Sequence, residues 1–449
     1  MTDGSTTSSS TRTTSITGTS TAGSSGTTSA TGPAAKERLW TRDLVLASVA
    51  NLVLTFVFYS LMTTMALYAV ERFGASDTAG GFASSVFVIG AVVARLVAGN
   101  VSDLFGRRRV LLVSMIVFVV ASSGYLLVDA GSESLGVLLA LRAAHGLAFG
   151  VASTAAMSLA QSLIPASRRA EGTGYFTLST TLATAVGPFL ALLLVHGPGY
   201  TTLFVVVAAV AVLGIVFALL LLSTRDAMPS PEDRARLRRF HPRDMLHPDV
   251  VPVATFMLVL SVGYSGVLTF LNSYAEREGL ERGASVFFLA YAVVLFASRL
   301  VAGKIQDRRG DNVVVYTALV AFAVGLALLG VGTSDAVVVL AGCFIGAGFG
   351  TLMSALQSVA VGRVPMSRVG VAISTHFFMV DLGVGVGPVL LGVLLNAIGY
   401  GQMYLGLAVL VAVSAALYHL VHGRRDPARR RDVATVETAL AAEPVPAAS

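Results

Sequence analysis

The sequence predicts an all-α membrane protein of twelve transmembrane helices, built as two parallel six-helix repeats. Three observations predict it. Of 449 residues, 55% are hydrophobic and only 12% charged, with a mean hydropathy of +0.77, whereas a water-soluble chain carries about 25% charged residues. Too few charges remain to cover an aqueous surface, which excludes a soluble enzyme and a nucleic-acid binder. The apolar residues fall into twelve runs of about 20, enough to cross about 30 Å of hydrocarbon as a helix and about twice what a barrel strand needs. Finally, blocks of the first half recur in the second at a fixed register. The single cysteine, Cys343, removes an intramolecular disulfide and a cysteine-based metal cluster from consideration. No cofactor and no metal are expected.

Residues 1–38 are rich in Ser, Thr, Gly and Ala and hold no apolar stretch of the kind a signal peptide needs, so they read as a disordered cytosolic tail. The first span runs from Leu44 to Val70, 27 residues without a charge, and Trp40 precedes it where an interfacial anchor belongs. Further runs follow at roughly 78–99, 110–128, 135–164, 172–195, 202–222, 250–275, 283–303, 313–331, 336–361, 371–395 and 402–421. Lipid offers the backbone no water to bond to, so each run must be a helix. The result is a six-helix bundle over 39–222, a cytosolic linker loop over 223–249, a second bundle over 250–422 and a second disordered tail over 423–449. With both termini in the cytosol, the tails and inner loops hold 25 Arg and Lys, the outer loops only Arg72, Arg277 and Arg282. That asymmetry sets the orientation in an inner or plasma membrane.

The repeat is explicit. Arg95-Leu96-Val97-Ala98-Gly99 recurs as Arg299-Leu300-Val301-Ala302-Gly303, and Asp103 and Gly106 recur as Asp307 and Gly310, at an offset of 204. A second block, including Gly146/Gly346, Pro165/Pro365, Arg168/Arg368, Gly187/Gly387, Pro188/Pro388 and Tyr200/Tyr400, keeps an offset of 200. Six is an even number, so both halves enter from the same face and are related by an axis along the membrane normal. Two parallel repeats with a cavity between them describe an alternating-access transporter.

The string from Gly99 through Asp103 and Gly106 to Arg107, Arg108 and Arg109 resembles the Gly-x3-Asp-x2-Gly-Arg-Arg signature of the major facilitator superfamily. The second copy is degenerate, with Asp311-Asn312 in place of the trailing arginines. A carboxylate at the end of span two, set against the N-terminus of span eleven near Val369-Gly370, is favoured by about 0.3–1 kcal/mol, or about 2 when partly buried. The resemblance implies that Gly99, Asp103, Gly106, Arg107, Arg108 and Asp307 form a conformational latch.

An ionisable residue inside a span costs about 2.5–3.5 kcal/mol on insertion scales and needs a reason. Arg95 and Arg299 mirror each other and are expected to be scaffold, their heads snorkelling to the headgroups. The unmirrored residues say more: Arg142 corresponds to Gly342, His145 to Ile345, His376 to Phe176 and Asp381 to Thr181. Arg142 and His145 share one face of span four, and Asp381 lies near the midplane of span eleven. These four are the candidates for proton coupling: imidazoles titrate near neutrality, and a carboxyl exposed alternately to two sides can load and release a proton. The Arg142-Ala-Ala-His145-Gly146 string resembles the family's span-four motif of proton-coupled members, with His in place of Gln. Gly174, Ala183, Gly187 and Pro188 resemble the span-five signature of drug/proton antiporters, and Gly387 and Pro388 repeat its end. Both Gly-Pro pairs are expected to bend their helices.

The cavity helices of that family correspond here to spans one and seven, which offers Asn51, Tyr59, Thr63, Tyr264 and Asn272 as substrate contacts. Few embedded charges among abundant Phe, Met and Val favour a neutral or amphipathic organic substrate. No His-Glu-x-x-His or Gly-x-Ser-x-Gly string lies in the spans, so no enzyme is expected. The reading is a monomeric permease of the twelve-helix drug/proton antiporter kind, exporting small amphipathic compounds against protons. The alternative is proton-coupled uptake of a sugar or other metabolite.

Overall fold

The computed structural model describes residues 38–131, 134–221, 231–238 and 244–425. The expected tails lie outside the described residues except for Arg38 and 423–425, and so does part of the central loop. Among the described residues, twelve helices are long and apolar enough to cross a membrane: Arg42–Phe73, Ala79–Phe105, Arg107–Gly131, Leu135–Leu163, Ala166–His196, Tyr200–Leu219, Val251–Glu278, Glu281–Arg309, Asp311–Val331, Asp335–Gly362, Met366–Leu395 and Ala397–Val421. They are spans one to twelve. Several run past the apolar stretch that announces them; span two continues from the expected 99 to Phe105. Hydropathy marks the lipid-embedded part, whereas backbone hydrogen bonding carries the helix on into the headgroup layer.

Local chemistry fixes the ends. Thr41 Oγ1 accepts the Leu44 N–H at 3.2 Å and Ser76 Oγ the Ala79 N–H at 3.3 Å, capping spans one and two. Among the described residues, the six glycines with positive φ form three pairs, two at the offsets of the repeat and one a residue away from it: Gly106 and Gly310 (92° and 91°), Gly199 and Gly399 (97° and 79°), and Gly74 and Gly279 (61° and 69°). Each pair turns the chain at the same point of each half, in a conformation that a Cβ would oppose. Gly106 and Gly310 of the signature recur for this reason.

Packing inside each half follows the repeat. Spans two and four touch where Gly146 meets the Phe87 carbonyl, and spans eight and ten where a Cβ on Gly346 would lie 2.5 Å from the Tyr291 carbonyl. Most buried apolar side chains gather in two large clusters. One centres on Leu54, Phe87, Phe118 and Phe204, the other on Phe256, Phe287, Phe322 and Tyr404. The outward surface is apolar, with Val120, Leu127 and Val393 among the most exposed side chains. The halves meet along two seams, span two against span eleven and span five against span eight.

Candidate functional site

Each seam is closed at the end of the molecule where span one begins and span twelve ends. Asp103, 4% exposed at the end of span two, accepts the Gly370 N–H at 2.8 Å and the Val371 N–H at 2.9 Å, the free donors at the start of span eleven. Arg107 stands 3.4 Å from the same carboxylate and also donates to the Met366 carbonyl, so it too reaches from one half to the other. Across the second seam, Asp307 accepts the Ala170 and Glu171 N–H groups at 2.9 and 2.8 Å, at the start of span five. Gly99 and Gly303 let these helices approach; a Cβ on either would lie 2.5 Å from a carbonyl oxygen of the other half, that of Gly370 or Ala170. Arg108 donates to the Leu219 carbonyl within the first half.

The second signature has taken a different partner. Its Asp311 contacts His422 Nε2 at 2.8 Å and Asn312 donates to the Gly423 carbonyl at 2.9 Å, so the residues replacing the arginines tie span nine to the end of span twelve.

Deeper in the membrane, the structure corrects the expectation for the mirrored arginines. Arg95 does not snorkel: its Nε lies 3.0 Å from the Asp381 carboxylate, across the seam between spans two and eleven, and its guanidinium lies over the Phe377 ring at 4.9 Å. A carboxylate supplied by the opposite half holds the head inside. Arg299 is retained as well, its Nη1 donating to the Thr177 carbonyl and to Thr181 Oγ1 on span five. Both arginines therefore bridge the halves at equivalent places, one to a carboxylate and one to a threonine.

Arg142 and His145 lie elsewhere, sealed within the first half. Arg142 donates to the Ala83 and Ser84 carbonyls at 2.9 and 3.2 Å and lies over Phe87 at 4.7 Å. His145 sits between Ser122 Oγ (3.2 Å) and the Tyr125 hydroxyl (3.1 Å). His376 is fully buried on span eleven, edge-on to Phe377 at 5.4 Å and within electrostatic range of Arg95. The four candidates thus divide into a pair inside one half and a pair at the seam.

The expected substrate contacts divide too. Asn51 is buried and donates to Ser179 and Thr180 Oγ atoms at 2.8 and 3.0 Å, which fastens span one to span five. Thr63 and Asn272 are exposed, and Thr63 donates to the Tyr59 carbonyl. Tyr264 stacks on Phe349 at 4.0 Å and, with Tyr59 and Tyr291, lies within electrostatic range of Arg299. Gly187 packs against Tyr59 Cβ and Ser60, whose Oγ donates to the Gly187 carbonyl; Gly387 packs against Ser265, whose Oγ donates instead to the Val262 carbonyl of its own helix. Pro188 and Pro388 lie inside helices that continue on both sides. Sequence reasoning missed Tyr291 and the bridging of the seams by Arg95 and Arg299. The signal was present in the offset that sets Thr181 against Asp381.

Comparison with known proteins agrees with this architecture. The family model described as Major Facilitator Superfamily matches residues 47–383 and 284–447. An uncharacterized MFS-type transporter of Burkholderia mallei is 26% identical over 388 residues, covering 83% of this chain and 92% of the relative. The uncharacterized MFS-type transporter YhhS of Shigella flexneri is 25% identical over 359 residues, covering 78% and 85%. Among solved structures, the human organic anion transporter MFSD10 (TETRAN) superposes with a TM-score of 0.68 at 16% identity, over 84% of this chain and all of that one. The proton:xylose symporter XylE gives 0.68 at 16% identity over 85% and 95%. Twelve membrane helices, a doubled signature whose carboxylates cap helices of the opposite half, and a family match across nearly all the spans lead to one assignment: the chain belongs to the Major Facilitator Superfamily.

Proposed function

We propose that the protein is a secondary active transporter working by alternating access, in which the Arg95–Asp381 pair couples proton movement to export of small amphipathic organic compounds. The observation that carries this reading is the ion pair itself, 3.0 Å long and spanning the seam between the halves inside the membrane. With Asp381 ionised, the pair holds spans two and eleven together. Protonation removes the attraction and lets the seam part; release of the proton on the other side restores it. His376 stands beside this pair, whereas Arg142 and His145 shape the packing of spans two, three and four.

The end carrying the termini is read as cytosolic from the Arg and Lys bias. Two carboxylate caps there, at Asp103 and Asp307, fit a conformer closed to the cytosol, and the latch role rests on them. Thr63 and Thr184 are polar and exposed inside spans one and five, one turn farther from that end than Tyr59 and Thr181, which supports reading that side as the open one. Export is favoured by the Gly174, Ala183 and Gly187-Pro188 pattern of span five. The protein is read as acting as a monomer in the inner or plasma membrane, with protons and a small molecule as its partners.

Everted membrane vesicles with an acidic lumen test the mechanism. Vesicles bearing the protein should accumulate labelled amphipathic compounds as luminal protons leave, and Asp381→Asn should abolish the gradient-driven part at equal membrane abundance. Accumulation driven by protons moving with the solute, or full activity of Asp381→Asn, would overturn the reading.

A further inference from the structure

The two seams carry the same arginine but not the same counter-charge. Arg95 has Asp381; Arg299 meets Thr181, the repeat-equivalent of Asp381, and no carboxylate pairs with it among the described residues. It is only 7% exposed, and its Nε is buried without a hydrogen-bond partner. A guanidinium held inside a membrane in this way is costly, and such groups mark substrate or ion paths. Arg142 also lacks a carboxylate, but it is fully buried within one half, with two carbonyls and an aromatic face around it. Arg299 differs in its surroundings. It reaches from span eight to span five, and the hydroxyls of Tyr59 on span one, Tyr264 on span seven and Tyr291 on its own span lie within electrostatic range. Tyr59 is also within electrostatic range of Asp381. One positive charge in excess thus stands among aromatic rings where four spans from both halves converge.

We propose that Arg299 anchors the substrate, and that the substrate is an amphipathic organic monoanion: a carboxylate, sulfonate or phosphonate carried on an apolar or aromatic body. The anion supplies to Arg299 what Asp381 supplies to Arg95, while the rings of Tyr59, Tyr264 and Tyr291 take the apolar body. Arginine suits this role because its planar fork matches such oxygens and it stays charged throughout the cycle. The inference names the substrate class for the transport reading above and rests on it, but binding needs no gradient, so the two fail separately.

The test uses purified full-length protein in phosphatidylcholine nanodiscs, titrated with matched probes: benzoate against benzamide, naphthalenesulfonate against naphthalenesulfonamide, and octanoate against octanamide, with tetraphenylphosphonium as a cation. Binding is read as the rise in melting midpoint. In at least one pair the anion should bind about tenfold more tightly than its amide, and Arg299→Gln should remove that preference. Thr181→Asp gives the guanidinium an internal carboxylate, so it should remain folded and lose the anion as well, which covers the case in which Arg299→Gln fails to fold. The proposal is overturned if no anion binds, if amides or the cation bind as well as the anions do, or if Thr181→Asp retains anion binding. Anion binding with no gradient-driven transport would count against the Asp381 mechanism alone.

Discussion

Asp381 and Arg95 form a pair that neither residue can leave alone. Removing one partner of a buried pair costs about 3–5 kcal/mol, whereas replacing both is often neutral. The cost here sits at the lower end, because the Asp381 side chain keeps 20% of its surface. Arg95→Gln should therefore lower the melting midpoint in detergent, and Arg95→Gln combined with Asp381→Asn should recover most of the loss. A double variant no more stable than the single one would show that the pair holds nothing. At this scale the sequence was only partly legible. Spacing along one helix says which side chains share a face, so it set Arg142 beside His145; it says nothing of what the other half brings up, and that is why Arg95 read as a snorkelling cation. Mirror symmetry of the two arginines also misled, since equal positions acquired unequal partners.

Helices, by contrast, were legible in existence and order, because a run of about 20 apolar residues has no other stable form in lipid. Their ends were not, since the last turns of span two are polar and pass beyond the hydrocarbon. Those turns carry the closest approach between the halves. A Cβ at Gly99 would lie 2.5 Å from the Gly370 carbonyl oxygen and from Val371 Cα, both backbone, so moving the nearby Ser374 side chain aside would not accommodate it. Gly99→Ala should therefore pry span two from span eleven at the end bearing the termini. A cysteine placed at Ser102, fully buried one turn beyond Gly99, in a Cys343→Ser background, should react faster with a water-soluble maleimide once the alanine is present. Unchanged labelling would mean that the contact tolerates the methyl group. Gly106 is a different kind of requirement: its φ of 92° constrains the turn itself, irrespective of its neighbours.

For the molecule as a whole, the recurrence of whole blocks at offsets of 204 and 200 made the two-halves architecture readable, whereas the seams between halves had to be seen. Asp103 and Asp307 hold equivalent places on the two seams, and each accepts two backbone N–H groups of the opposite half. Each aspartate gives one oxygen to each N–H, whereas asparagine has a single acceptor oxygen beside an NH2 donor and carries no charge, so each substitution should lose about 2 kcal/mol of the closed conformer, roughly a thirtyfold shift in the equilibrium. Asp103→Asn, which also leaves Arg107 without its carboxylate, should stop transport at normal membrane abundance. The double variant with Asp307→Asn should part the two halves, measured as a longer spin-label distance across the terminal end. Wild-type distances in the double variant would mean that other contacts hold that end shut.

The pairing of Thr181 with Asp381 has a consequence for ancestry. A gene doubled from one six-helix unit begins with two indistinguishable interfaces, and such a molecule has no preferred side. Divergence at this one corresponding position gives one interface a carboxylate beside its arginine and the other a threonine, so a fused dimer acquires two chemically distinct interfaces without any change of architecture.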